Sequence, residues 1–201
     1  MNSQLIDSLG LRLGANALPY EIPMHPQFVH LTLGLFIIGI LFDIAGAIFS
    51  RERPIFKFLG LPAIRSGFFD VGWYNLLGAA VVTFFTVAFG FFELLLANPQ
   101  VNYKSDWGLS ASWTMLLHGL GGVLLLGVIV AMTVWRCLQR YHWRKDASRQ
   151  VQWSYLLVGI LTLGILYVHG TLGAQLGEEF GIHVTAAKLL QEGTNPNLLL
   201  K

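Results

Sequence analysis

The segment Met24-His25-Pro26-Gln27-Phe28-Val29-His30 puts two imidazoles at the head of a long apolar run, and His118 and His169 sit inside two later ones. Imidazole ligates metals, binds haem iron and carries protons near neutral pH. In an apolar setting it must be compensated for the water it gives up, so each of these residues asks for a partner or a guest. A single intramembrane histidine is adequately explained by one hydrogen bond between helices, worth about 1 kcal/mol. Three separate runs each carrying an imidazole weaken that explanation and favour a metal or haem.

The neighbours of the histidines bear on which guest. Gly34, Gly122 and Gly173 each stand four residues after a histidine (His30, His118 and His169), hence on the same helical face. A flat bulky ring needs backbone to come close where a side chain would otherwise stand. Close helix–helix packing uses small residues in the same way. Zn²⁺ or Cu²⁺ held by His30, His118 and His169 would also accept imidazole. A bare ion commonly recruits a carboxylate or thiolate as well, and only Glu93 lies at a comparable depth. Glu93 could instead hydrogen-bond a liganding histidine from behind. The lone cysteine, Cys137, leaves no CxxCH attachment site, which excludes covalently attached haem but not haem b.

The elements that must position these residues follow from composition. Of 201 residues, 54% are apolar and only 12% charged, with a mean hydropathy of +0.59. A soluble domain carries roughly a quarter charged residues, so the chain is an integral membrane protein. A net charge of +2 and the lack of a basic stripe exclude nucleic acid as a partner. Four unbroken apolar runs are predicted to span the bilayer, at about 28–49, 71–97, 111–135 and 153–176. None shows the alternation of a barrel strand. The expected fold is all-α, an up-and-down four-helix bundle over 28–176. Short peripheral segments flank it, at 1–27 (with Leu5, Leu9 and Leu13 at helical spacing) and at 177–201 (with a short helix ending near Gln191). Ser110 is a candidate N-cap for the third span.

Nine basic residues follow the first and third spans (Arg51, Arg53, Lys57, Arg65, Arg136, Arg140, Arg144, Lys145 and Arg149), against four elsewhere. The positive-inside rule then puts both termini outside, in periplasm or thylakoid lumen. At 1.5 Å per residue, His30 is about 6 Å deep and His118 and His169 about 12 Å. His25 is at the mouth of the first helix and Glu93 is near the outer end of the second, so all share one leaflet. Diagonal first and third helices would make His30 and His118 the pair that clamps a ring, with His169 behind them or replacing one. An inward His25 would allow a second haem. Asp43, at the opposite face, is expected to hold the first loop through Arg51 or Arg53. His142 and the tail residues Glu178, Glu179 and His183 suggest no chemistry.

At these residues the chain resembles a family of bacterial four-span membrane proteins catalogued as a domain of unknown function. The shared features are His25-Pro26 with Val29-His30, Asp43, His118 and His169-Gly170, across roughly residues 24–177. Leu31-Thr32 departs from the family's aliphatic-proline step. The resemblance implies the four-span topology, and through a likeness to cytochrome b-type proteins in histidine placement it implies haem.

Two functions are therefore expected, both in a bacterial inner membrane or a cyanobacterial thylakoid. The first is a bis-histidine haem b protein passing electrons near the outer face, to a quinone or to other subunits of a redox complex. The second is an accessory subunit of a larger respiratory or photosynthetic complex, whose histidines bind chlorophyll or only bond helices together. Phe84, Phe85, Phe89, Phe91 and Phe92 make the second span bulky enough to face pigments, lipid or a partner, with lipid the simplest occupant. No nucleophile–base pair or phosphate loop marks an enzyme. A metal or proton transporter ranks last, because no charge lies at mid-span.

Overall fold

The computed structural model describes residues 8–48, 65–97, 102–143 and 151–195. It is all-α, a four-helix membrane bundle of α1 (Met24–Ile48), α2 (Arg65–Leu96), α3 (Ala111–Leu138) and α4 (Trp153–Glu178), followed by a short α5 (Thr185–Gln191). Each of the first four is long and apolar enough to cross a bilayer. All four begin or end further out than hydropathy alone predicts. α1 starts four residues early, at Met24, and α3 runs beyond Trp135 into a π turn at Gln139–Trp143. Ser110 precedes α3 as expected, with its hydroxyl 3.4 Å from the Trp113 amide and its carbonyl accepting from Thr114 at 2.9 Å. Ser8 is helical, Leu9 lies in the turn that follows it and Leu13 in irregular chain; Leu5 and the rest of the expected surface helix fall outside the described residues.

The chain divides into two compact units, one of Phe28–Thr86 with Leu124–Leu166, the other of the residues up to Gln27, Val87–Val123 and those from Tyr167 onward. The first of these has a core drawn from all four long helices, including Phe36, Ile40, Phe69, Leu76, Ile129, Met132, Tyr155 and Leu156. Lipid offers no hydrophobic drive for helices to associate, so contact must come from close packing and polar bonds. Both are present. A Cβ on Gly39 would stand 3.2 Å from the Leu76 amide and 3.3 Å from the Gly72 carbonyl, so α1 and α2 meet nearly backbone to backbone. Thr32 and Thr86 add a hydroxyl pair at 2.8 Å.

Two charges are sealed into the same unit. Arg136 grips Asp43 with a two-pronged contact, Nε to Oδ2 and Nη2 to Oδ1, both at 3.1 Å, and both side chains are fully buried. Tyr155 donates to Asp43 Oδ2 at 3.2 Å, and Arg136 Nη2 also donates to the Phe69 carbonyl at 3.3 Å. Arg140 bonds Asp70. These pairs correct two expectations. Asp43 serves Arg136 on α3, while Arg51 and Arg53 lie outside the described residues. Arg136 and Arg140 are buried ion-pair members carried by an elongated helix, not loop charges, because α3 and its π turn continue past the predicted end.

The Asp43 carboxylate rests on bare backbone. A Cβ on Gly72 would stand 2.4 Å from Asp43 Oδ1. Gly72→Ala should cost about 1–3 kcal/mol as overpacking, read by denaturant titration in mixed micelles. Gly34→Ala, with nothing within 4 Å of the added carbon, should change little. Equal effects from the two would refute the close approach.

Candidate functional site: a histidine cluster in one unit

Three of the four histidines expected at the outer level fall within the second unit. His25, on the first turn of α1, points its ring edge at His118 on α3, with 5.7 Å between ring centroids and an interplanar angle of 84°. Their Nε2 atoms are 3.4 Å apart. His118 in turn lies 4.2 Å, centroid to centroid, from His169 on α4. His118 Nδ1 is 3.3 Å from the His169 carbonyl, and His169 Nε2 is 3.0 Å from the His118 carbonyl. Carbonyl oxygens only accept, so both ring nitrogens are the protonated ones. With its proton on Nδ1, neutral His118 turns an Nε2 lone pair toward His25.

His30 is exposed. Five residues beyond His25, it lies about 140° further around the helix, so it is His25 that meets His118 where His30 was expected to. Among the described residues, no three His, Cys, Asp or Glu side chains are arranged to hold a metal ion. Of the expected ion-binding set, His118 and His169 share this unit, while His30 belongs to the other.

Of the two uses anticipated for the glycines, close approach between helices is the one that the contacts of Gly122 and Gly173 match. A Cβ on Gly173 would stand 2.8 Å from His118 Cε1, and one on Gly121 or Gly122 would stand 3.2 or 3.6 Å from the His169 ring. The room they leave is filled by a histidine from the neighbouring helix. Gly34 has open space around it. Gly90, which the sequence did not single out, seats the His25 ring, with Nδ1 2.8 Å from its virtual Cβ.

Glu93 secures the start of α1. Its Oε1 accepts from the Met24 amide at 2.7 Å, the His25 amide at 2.9 Å and the Tyr20 hydroxyl at 2.9 Å, with the residue only 5% exposed. A carboxylate is well suited to the free amides and positive end of a helix dipole. This explains the early start at Met24. It also means that Glu93 orients His25 through the main chain. Burial, and then the hydrogen bond and charge of Glu93, push the Tyr20 phenol well above its ordinary range.

His183, set aside in the sequence, ties this unit together. Its Nε2 is 2.8 Å from the Glu93 carbonyl and its Nδ1 is 3.1 Å from the Asn16 carbonyl, from a backbone at φ 58°. No local pattern could have announced it, since its partners are 90 and 167 residues away. Nearby, Glu179 receives the Asp106 amide at 2.9 Å and its carbonyl takes the Tyr103 hydroxyl. His142 is exposed on the π turn, as expected of a surface residue.

Comparison with known proteins finds a match over residues 21–186 to a family described as "Predicted membrane protein (DUF2231)". No curated protein and no solved structure matches the chain.

Proposed function

The chain belongs to this family of predicted membrane proteins, and from that premise we propose that it is a membrane haem b protein, an electron-transfer subunit whose axial ligands are His25 and His118. The observation that carries this reading is the approach of two imidazole Nε2 atoms to 3.4 Å from two different helices. Two metal–imidazole bonds of about 2.0 Å span about 4 Å, so the pair is close to the separation that an iron requires. His118 also makes the outer hydrogen bond that a liganding histidine commonly makes, from Nδ1–H to a backbone carbonyl, which leaves Nε2 as the donor atom. Haem needs only two protein ligands, a number the His25 and His118 pair can supply.

When bound, haem supplies one-electron chemistry. The chain's own part is to hold the two rings. Glu93 fixes His25 through its amide, and the His169 carbonyl fixes the protonation of His118. The electron partners on this reading are a quinone or neighbouring redox subunits in a bacterial inner or thylakoid membrane, with the site toward the non-cytoplasmic face.

A second reading has its own support. The His118 and His169 rings bond each other's carbonyls, which suits a non-catalytic subunit that uses histidine only to join helices. A reduced-minus-oxidised visible spectrum of the purified protein separates the two. The expected result is a sharp b-type band, lost in His25→Ala and in His118→Ala and kept in His30→Ala. A colourless protein without iron by elemental analysis would leave the second reading standing.

A further inference from the structure

We infer that the two H-x3-G segments, His118–Gly122 and His169–Gly173, form a reciprocal clasp in which His169 is a positioning residue that presents His118 Nε2 and is not itself a ligand. In a helix the carbonyl of residue i points at the amide of residue i+4. When residue i+4 is glycine, the flank of that carbonyl is uncovered and its second lone pair is open to a ring from outside. Both helices use this opening on each other. The His118 ring sits against Gly173 and reaches the carbonyl of His169, four residues earlier. The His169 ring sits against Gly121 and Gly122 and reaches the carbonyl of His118, again four residues before Gly122.

The exchange has a chemical consequence. Nδ1 of His118 faces an acceptor that cannot donate, so the proton is held there and the lone pair is held on Nε2. His169 spends its Nε2–H on the His118 carbonyl, which leaves its lone pair on Nδ1, at the other side of the ring from that carbonyl. The two histidines, alike in sequence, have opposite roles. The clasp itself stands without iron; only its service to an axial ligand rests on the haem reading above.

Histidine ¹⁵N spectra of the full chain in micelles test the clasp. His118 should be a single Nδ1-protonated tautomer. Gly173→Ala, whose methyl would meet His118 Cε1, should spread it over both tautomers, whereas Gly170→Ala, with open space at its Cβ, should not. His118 protonated on Nε2 in the unaltered chain would overturn the inference. Should Gly173→Ala fail to fold, His169→Leu removes the bond from the His169 ring but keeps the His169 carbonyl that faces His118 Nδ1, so His118 should stay protonated on Nδ1 there, and a move of its proton to Nε2 would count against the inference. A second arm reads the iron. His169→Gln, which keeps an N–H donor, should retain the low-spin b-type band with a shifted midpoint potential, while His118→Gln loses the band. Loss of the band in His169→Gln to the same extent as in His118→Gln would make His169 a ligand and sink the inference. If no form of the protein binds haem, the haem reading fails and the tautomer arm still decides the clasp.

Discussion

Asp43→Ala is expected to destabilise the protein by about 3–5 kcal/mol, the usual consequence of stranding one member of a buried ion pair. Arg136 is fully buried and spends Nε and Nη2 on Asp43. Without the carboxylate, the guanidinium keeps the Phe69 carbonyl at 3.3 Å, which cannot offset a full charge. Tyr155 loses its acceptor as well. One escape is open to arginine, since a long side chain near a helix end can snorkel toward the interface, and use of it would bring the loss toward the lower figure. Arg136→Ala strands the carboxylate instead, and a carboxylate can protonate, so its loss should be the smaller of the two. The double variant Asp43→Leu with Arg136→Met should recover most of the stability, because a buried pair is frequently no better than apolar residues of similar volume. Unfolding titrations in mixed micelles measure all three. A loss below about 1 kcal/mol for Asp43→Ala would mean that the pair is solvated, contrary to its burial.

Glu93→Ala should produce the second large effect, about 2–3 kcal/mol, from a lost helix cap together with the half-buried Tyr20 hydroxyl left without its acceptor. One oxygen serves the Met24 amide, the His25 amide and the Tyr20 hydroxyl, so the three donors fail together. Glu93→Gln keeps an oxygen acceptor and gives up only the charge at the helix dipole, which is worth about 0.3–1 kcal/mol, up to about 2 in partly buried geometries. The order Ala worse than Gln is therefore the discriminating result, and the reverse order would show that charge and not the cap is what matters. Tyr20 supplies an independent readout. Its phenol is raised first by burial and then by the Glu93 hydrogen bond and charge, so Glu93→Gln should lower its ionisation midpoint without restoring the ordinary value. On the haem reading, fraying of α1 would also carry His25 away from His118, and the b-type band should weaken in Glu93→Ala more than in Glu93→Gln.

The exposed aromatics fit the bilayer that both experiments assume. Phe84, Phe85 and Phe91 are 56%, 52% and 44% exposed, the behaviour expected of side chains that meet lipid tails, whereas Phe89 and Phe92 are half-buried, Phe92 against Tyr20.

Much of the axial organisation was legible in the residues alone. Span number, approximate limits and the Ser110 cap depend on hydropathy, length and local hydrogen bonding, all of which are properties of contiguous chain. Counting residues at a fixed rise put His25, His30, His118, His169 and Glu93 near one level, and all of these but His30 share one compact unit. Rotation about the helix axes was not legible. Helices that face lipid on one side and each other on the other are apolar all round, so no polar stripe reports which way a residue points. That is why His30 was expected to meet His118, although it is His25, five residues earlier on α1, that does so, and why the glycines after His118 and His169 could not be assigned to a guest or to a neighbouring ring. Asp43 finding Arg136, 93 residues away, Glu93 capping α1 from α2, and His183 bridging two distant carbonyls were likewise settled only by tertiary contact. Distance along the chain is set by covalent geometry, whereas facing is set by packing among helices that the sequence describes one at a time.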